Sequence, residues 1–348
     1  MIVRIRSKEE IAEMPHAARI RVGVCGLGRS GQANHIDTLR GHASQYYELV
    51  AVADINQELA RSKAQEFNCR GYGGPAELFS DEKVELVTIA TLSSDHAQHA
   101  IMAMEAGKDV IIDKPMATTY ADAKRMIEVS DRTGRRLTVF HNRRYDPDFR
   151  LICRLREQGL LGRPFFIANA FVNYSRRNDW QLQSKYGGGL LNNWGPHLID
   201  QLLLMAERPV ICVYANLQQR INAGDTEDHF KITITFEGDV AGETMVSNAS
   251  LAPLPRWRIL ADDSALLSID KTKLTLWRYV NNESQSTPCE APPDPINLCG
   301  YFYINYCTCA RDNRNLIDPR QAANIVRVME AARKSHMEKR SIRLEEIN

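Results

Sequence analysis

Arg21-Val22-Gly23-Val24-Cys25-Gly26-Leu27-Gly28-Arg29-Ser30-Gly31 is the stretch whose reading decides the fold of this chain. An apolar run of strand length, Ile20 to Cys25, feeds directly into Gly26-x-Gly28-x-x-Gly31, and a helix-compatible segment, Gln32 to Gly41, follows. Strand, glycine turn and helix N-terminus together make a phosphate cradle. The first glycine permits the tight turn and the second lets the backbone approach a pyrophosphate. The third lets helix and strand pack closely, while free N–H groups at the helix start face the anion. Alone the motif is unspecific, so the rest of the chain has to support it.

Outward from the loop the support accumulates. Tyr47 to Ala53 reads as a second strand and ends on Asp54, which is 54 − 31 = 23 residues beyond Gly31. An acid at the end of the second strand, about 20 residues past the glycine turn, is placed to accept from the adenosine ribose hydroxyls and to repel a 2′-phosphate. That favours NAD over NADP. The alternative reading is that Asp54 merely caps the helix from Gln57 to Phe67. Strands Glu85–Thr91, Asp109–Ile112 and Arg136–Phe140 then alternate with helices Asp95–Ala106 and Thr119–Thr133. Such alternation predicts βαβ units in a doubly wound parallel sheet. Its ligand edge would carry the loops Thr91-Leu92-Ser93-Ser94, Asp113-Lys114-Pro115 and His141-Asn142-Arg143-Arg144.

From about Phe149 the grammar changes. After a helix over Phe149–Gln158 come strand-like runs at 165–174, 210–217, 230–236, 243–249, 256–260, 265–269 and 274–279. Only one longer helix, Pro196–Ala206, interrupts them. This predicts an α+β domain on an open, mainly antiparallel sheet. Tyr301–Arg311 and Asp318–Glu338 close the chain as helices, the latter with Asp318 as N-cap and Pro319 at its first position. The expected division is an N-terminal extension (1–18), a dinucleotide-binding domain (19–142) and an α+β domain for substrate binding and oligomerisation (143–348). In the extension, Val3–Ile5 reads as a short strand, and Ser7 with Glu10 as a capping box.

With 348 residues there is room for two cores. A formal net charge of +1 provides no global field for nucleic acid or an anionic membrane. No apolar run approaches the roughly 20 residues that span a bilayer. Charges run through Met1 to Met14, which have no signal-peptide h-region, so the expected location is cytoplasmic. The eight cysteines are scattered. Even the cluster Cys299, Cys307 and Cys309 lacks paired metal-ligand spacing, so no metal is expected.

Several ordered features together resemble the glucose–fructose oxidoreductase, inositol dehydrogenase and rhizopine-catabolism (Gfo/Idh/MocA) family. They are Gly26-Leu27-Gly28-Arg29-Ser30-Gly31 with His35 following, Asp54, Ala90-Thr91 before His96, and Gly107-Lys108-Asp109-Val110 leading to Asp113-Lys114-Pro115. Then come Asn142-Arg143-Arg144 and Gly187-Gly188-Gly189-Leu190-Leu191-Asn192-Asn193-Trp194-Gly195-Pro196-His197-Leu198-Ile199-Asp200. The resemblance runs from about residue 20 to 343. It implies an N-terminal Rossmann domain, a C-terminal open sheet used for substrate binding and oligomer contacts, and a nicotinamide cofactor. The substrates it implies are sugars, cyclitols and related polyols. It carries Gly26, Leu27, Gly28, Arg29, Ser30, Gly31, Asp54, Thr91, Ser93, His96, Asp113 and Lys114 over as cofactor-binding positions.

Taking hydride from a secondary alcohol requires that the hydroxyl proton also leave, so a base must reach that oxygen. His197 is the candidate, since imidazole exchanges a proton near neutral pH. Pro196 before it reads as a helix N1 residue, which would project His197 from a helix N-terminus. Lys114 is the second candidate. By the resemblance its ammonium lies between nicotinamide and substrate, stabilising charge on the reacting oxygen. Asp113 stands where the family usually has Glu. Asn193 stands where the family usually has Asp; an amide hydrogen-bonds a hydroxyl but takes no proton, and it is equally placed to cap the helix. Asp200, three residues after His197, is a possible source of the missing charge. Tyr174, Trp180 and Tyr186 offer flat faces to a sugar ring. Arg143, Arg144, Arg176 and Arg177 suit a carboxylate or phosphate, or alternatively ion pairs within the protein.

Two readings follow. The first is an NAD-dependent oxidoreductase of a sugar, inositol or polyol, with Lys114, His197 and Asn193 as catalytic residues. The second, motivated by Asn193, is an NAD-binding sensor that has lost catalysis. The expected assembly is a homodimer or homotetramer, with no nucleic-acid or membrane partner.

Overall fold

The computed structural model describes residues 18–268 and 270–348. The extension expected over 1–18 lies outside the described residues except for Ala18. Two compact units form among the described residues: one holds the chain from Ala18 to Asn142 together with Ile296–Asn324, the other Arg143–Pro295 with Ile325–Asn348.

The first unit is built on six parallel strands. They are β1 (Ile20–Cys25), β2 (Tyr47–Ala53), β3 (Arg70–Tyr72), β4 (Leu86–Ile89), β5 (Asp109–Ile112) and β6 (Leu137–Val139). Their order is β3-β2-β1-β4-β5-β6. Val22, Val24, Val52, Val87, Ile89 and Val110 through Ile112 are all buried, as strands covered on both faces require. The intervening helices are α1 (Asp37–Arg40), α2 (Gln57–Phe67), α3 (Pro75–Phe79), α4 (His96–Glu105) and α5 (Tyr120–Thr133). Asn56 caps α2 by accepting from the Leu59 amide at 3.1 Å, and Thr119 caps α5 by accepting from Asp122 at 3.1 Å. Because parallel strands all end on one edge, Gly26, Asp54, Ala90 and Asp113 leave the sheet on the same side. The order reverses between β1 and β4, the crevice where doubly wound sheets bind ligands.

The second unit carries β7 (Pro164–Val172), β8 (Val210–Gln218), β9 (His229–Phe236), β10 (Val240–Ser247), β11 (Trp257–Ala261), β12 (Ser264–Ser268), β13 (Lys273–Val280), β14 (Glu283–Glu290) and β15 (Ile342–Arg343). Their order is β14-β13-β12-β11-β7-β10-β9-β8-β15, antiparallel except for the parallel pair β7–β10. Register separates the faces. The cross-strand row Val213–Ile234–Gly242–Ile167–Ile259–Leu266–Leu276 is buried throughout. The adjacent row Tyr214–Thr233–Glu243–Ala168–Arg258–Leu267–Thr275 is half-buried or exposed. The α-helix α6 (Pro147–Glu157) precedes the sheet, and α7 (Leu190–Ala206) lies on β7, β9 and β10, where the Asn169 side chain donates to the Leu198 carbonyl at 2.9 Å. Strand β14 is missed in the sequence because Glu283-Ser-Gln-Ser-Thr-Pro288-Cys-Glu290 has no apolar alternation. An edge strand tolerates that composition, Pro288 included.

One helix requires a correction to the expected division. The sequence assigns everything after 143 to the second domain, yet α8 (Leu298–Arg311) groups with the parallel sheet. Every residue from Cys299 to Cys309 is buried. Tyr303 on this helix packs edge-on against Tyr47 of β2, and the Tyr47 hydroxyl donates to its carbonyl at 2.6 Å. The last helix, α9 (Pro319–Glu338), begins in the first unit and continues in the second. Among the described residues no helix is long and apolar enough to cross a membrane.

Candidate active site

The glycine loop at the end of β1 is shaped by three different needs. Gly26 sits at φ +92°, and a Cβ there would stand 2.5 Å from the Ala90 carbonyl at the end of β4. A Cβ on Gly31 would lie 1.9 Å from the Gly26 carbonyl, so helix and strand could not approach. Gly28, exposed at the crest, has no atom within 4 Å of where its Cβ would be, leaving the open approach that a pyrophosphate needs. The residues present fit a dinucleotide. The helix expected over Gln32–Gly41 begins differently: Gly31–Ile36 is a π-turn, with the Asp37 amide donating to the Gln32 carbonyl, before α1 takes over. The wider turn carries His35 inward, fully buried.

Asp54 accepts from the Leu27 amide at 2.8 Å and from the Asn56 amide at 2.9 Å. Since Asn56 caps α2, the alternative reading of Asp54 as the helix cap is replaced. Asp54 instead fixes a carboxylate against the glycine loop. Arg29 is exposed beside it in the loop. Ser30 turns inward, and its hydroxyl donates to Asp113 Oδ2 at 2.5 Å.

On the same sheet edge, Thr91 Oγ1 is 3.0 Å from His99 Nδ1, and Ser93 is buried in a short 3-10 turn. His96 is a clamp. Its Nδ1 donates to the Pro115 carbonyl at 2.7 Å while Nε2 faces the Thr91 carbonyl at 3.3 Å. Burial holds its pKa below the ordinary histidine value, hydrogen bonds notwithstanding. The imidazole therefore ties the β4 and β5 loops together, and its ring nitrogens are turned to backbone.

Asp113 is buried at the end of β5, and its Oδ1 accepts from the Lys114 amide at 2.8 Å. Burial alone would raise its pKa. The His35 imidazole, the Lys114 ammonium and the Ser30 hydroxyl outweigh that and hold the carboxyl well below the usual range. Lys114 itself is half-buried and begins a cis bond to Pro115.

In the second unit the triple glycine launches α7. Gly189 (φ +99°) is its N-cap, and a Cβ there would meet the Glu227 carboxylate at 2.5 Å. That carboxylate accepts from the Leu191 amide at 2.7 Å. Burial pushes the Glu227 pKa up despite this bond. Asn192 donates to the carbonyls of Gly187 and Gly188 and accepts from Arg333.

The helix therefore starts at Leu190, six residues before the expected start at Pro196, which corrects the placing of His197 at a helix N-terminus. Pro196 lies inside α7. Asn193 is likewise no cap, since its amide donates to the Gly189 carbonyl at 3.0 Å as an ordinary helical residue. Asn193 and His197 accordingly sit at i and i+4 on one helix face.

Beside them Trp194 stacks on Phe171 with ring centroids 3.7 Å apart and meets the His197 ring edge-on at 5.9 Å. The Arg143 guanidinium lies 4.4 Å from the Trp194 ring centroid and pairs with Asp146 at 3.3 Å. Arg144 and Asp200 form a buried two-bond pair at 2.8 and 2.6 Å. Asp200 and Arg144 are thus matched to one another. Arg177 is paired with Asp179, whereas Arg176 is exposed. Tyr174 is half exposed; Trp180 and Tyr186 lie in consecutive 3-10 turns ahead of the glycines, outside the core. Glu227 and Tyr303 are residues that sequence reasoning passed over, while His35 and Trp194 enter it only as parts of motifs, with no role given to them. His35 alone left a local trace, four residues after Gly31 at inward helical spacing.

A 3-2-1-4-5-6 parallel sheet with this glycine loop and acid defines a dinucleotide-binding oxidoreductase fold. Residues 20–141 match the family described as "Oxidoreductase family, NAD-binding Rossmann fold", and residues 149–266 match the GFO/IDH/MocA C-terminal domain. The chain belongs to the Gfo/Idh/MocA oxidoreductase family. It is 27% identical over 356 residues to scyllo-inositol 2-dehydrogenase (NADP(+)) IolW of Bacillus subtilis, covering 94% of this chain and 96% of that protein. To the uncharacterized oxidoreductase YdgJ of Escherichia coli it is 31% identical over 219 residues, 62% of each chain. Levoglucosan dehydrogenase, solved with NADH and levoglucosan, superposes with a TM-score of 0.84 at 18% identity, covering 94% of this chain and all of that one (100%), a likeness of fold.

Proposed function

We propose that this protein transfers a hydride between NAD and a carbinol or carbonyl carbon of a sugar, inositol or related polyol. The observation that carries the reading is Lys114: it leaves the ligand edge of the parallel sheet immediately after a buried, ionised Asp113. Bound nicotinamide supplies the hydride acceptor or donor. The glycine loop and Asp54 hold the dinucleotide. Lys114 donates to the reacting oxygen and stabilises negative charge developing there. His197 takes the hydroxyl proton in oxidation and returns it in reduction. Asn193 hydrogen-bonds a neighbouring hydroxyl. Tyr174, Trp180 and Tyr186 are the proposed ring-binding faces. The names of relatives acting on scyllo-inositol and levoglucosan support a polyol substrate.

NAD is the proposed partner of Asp54 even though IolW is named for NADP(+). Both Asp54 oxygens are already oriented by backbone amides, so a 2′-phosphate would meet a fixed negative charge. Asp54→Ser should raise NADPH affinity relative to NADH by about 10-fold or more, read by quenching or energy-transfer fluorescence. An unchanged ratio would remove Asp54 from cofactor selection.

The half-exposed face of the antiparallel sheet, with Tyr214 and Arg258 exposed on it, is the proposed surface for self-association. Sedimentation equilibrium should give a dimer or tetramer, and a stable monomer at micromolar concentration would contradict this. A sensor without catalysis remains the second reading. Asn193 favours it, together with the pairing of Asp200 to Arg144.

A further inference from the structure

Beneath the glycine loop, in the first unit, lies a chain of buried polar side chains that the proposed chemistry does not use. Tyr303 Oη is 3.1 Å from Thr88 Oγ1 and 2.8 Å from His35 Nδ1. His35 Nε2 is 3.8 Å from Asp113 Oδ2. Asp113 Oδ2 also accepts from Ser30, whose Oγ receives the Asn34 side-chain amide at 2.9 Å. Phe140 closes one side of the His35 ring, with centroids 4.5 Å apart. The titratable or charged groups facing this chain are Asp113, Lys114, Tyr47, Tyr303, Tyr306 and Cys299. Burial keeps Tyr303 a neutral phenol, well above its ordinary pKa.

At 3.8 Å His35 Nε2 makes no hydrogen bond to the carboxylate, but a lone pair there would face it and be repelled, so Nε2 carries the hydrogen on the side of Asp113. Nδ1 is then an acceptor and takes the Tyr303 hydroxyl hydrogen, while Thr88 donates to the Tyr303 oxygen. The row Thr88→Tyr303→His35→Asp113 is hydrogen-bonded as far as His35 and closes on Asp113 at ion-pair distance. It begins on β4 and ends on the residue whose other oxygen holds the Lys114 amide.

We propose that His35 is a positioning residue for Lys114: through the Tyr303–His35–Asp113 relay it holds in place the Asp113 carboxylate that accepts from the Lys114 amide, keeping that lysine oriented for its work. This rests on the reading of Lys114 as the oxygen-binding cation. The relay reaches neither Asp54 nor the crest of the glycine loop at Gly28, so its effect on turnover should exceed its effect on cofactor affinity.

The test uses the full-length protein. Lys114 labelling by an amine-reactive reagent at fixed pH, followed by peptide mass spectrometry, reports how firmly its amine is held without needing a substrate. In His35→Ala the Asp113 carboxylate loses one wall of its setting and its grip on the Lys114 backbone loosens, so Lys114 should label about 3- to 10-fold faster than in wild type. His35→Gln, which restores an N–H toward Asp113, should return the rate to within about 2-fold of wild type. Tyr303→Phe removes one oxygen and opens no cavity. It should speed labelling about 2- to 3-fold, and it decides the matter if His35→Ala does not fold. On whichever polyol the enzyme turns over, kcat should fall about 10-fold in His35→Ala, with KM for NAD within about 2-fold. Unchanged Lys114 labelling in both His35→Ala and Tyr303→Phe would overturn the relay. An active Lys114→Ala would instead overturn the reading of Lys114, whatever the labelling shows, so the two failures are separable.

Discussion

Replacing Lys114 by alanine is expected to lower turnover about 1,000-fold or more while changing NAD affinity by less than about 3-fold. The asymmetry follows from what the lysine does and does not hold. In the proposed mechanism the dinucleotide is held by the glycine loop and Asp54, and Asp54 accepts from the Leu27 and Asn56 amides, not from Lys114. In that mechanism the Lys114 ammonium instead meets the oxygen where charge develops during reaction, while its backbone amide is held by the buried Asp113 carboxylate. A donor aimed at developing charge acts on the transition state more than on the ground state, so kcat falls and binding is spared. Lys114→Arg should recover little, because a planar guanidinium does not present a point charge at the same depth. Turnover of Lys114→Ala above about a tenth of wild type would remove the residue from the mechanism.

His197→Ala is expected to reduce kcat about 100- to 10,000-fold, the usual contribution of a positioned general acid–base. Added imidazole should restore part of the lost rate by entering the space the ring leaves. A merely structural loss would not respond to it. NADH binding and the thermal midpoint serve as controls, since His197 is buried on α7 and its ring meets Trp194 edge-on. Activity within about 3-fold of wild type would shift the proton-transfer role to another group.

How far the sequence could be read depended on whether the signal was local. The parallel sheet was legible because each strand ends in its own turn chemistry and each helix is stopped by a glycine or begun by a cap such as Thr119. Asp54 was legible from spacing, although the capping role that competed with it is filled by Asn56, two residues on. The start of α7 was misread because Pro196 imitates an N1 proline. The true start depends on Glu227, 36 residues from the Leu191 amide it holds, and no local pattern announces that bond. Helix α8 was placed in the wrong unit for a similar reason. Apolar spacing says that Tyr303 is inside, but not that the inside is beside Tyr47. The pairing of Asp200 with Arg144 joins residues 56 apart, so the sequence left Asp200 as a possible neighbour in charge for His197. Long-range polar contacts are what the sequence hid. In this chain they decide which acids are spent on structure and which are poised for chemistry.

The most direct test of the central claim is the formation of reduced nicotinamide when wild-type protein and NAD meet a panel of sugars, cyclitols and sugar acids, with Lys114→Ala and Asn193→Asp alongside. The account predicts turnover by wild type on at least one polyol and none by Lys114→Ala. A wild type that binds NAD yet reduces none of it on any polyol, while Asn193→Asp gains turnover, would contradict it and establish the chain as a sensor that has set its chemistry aside.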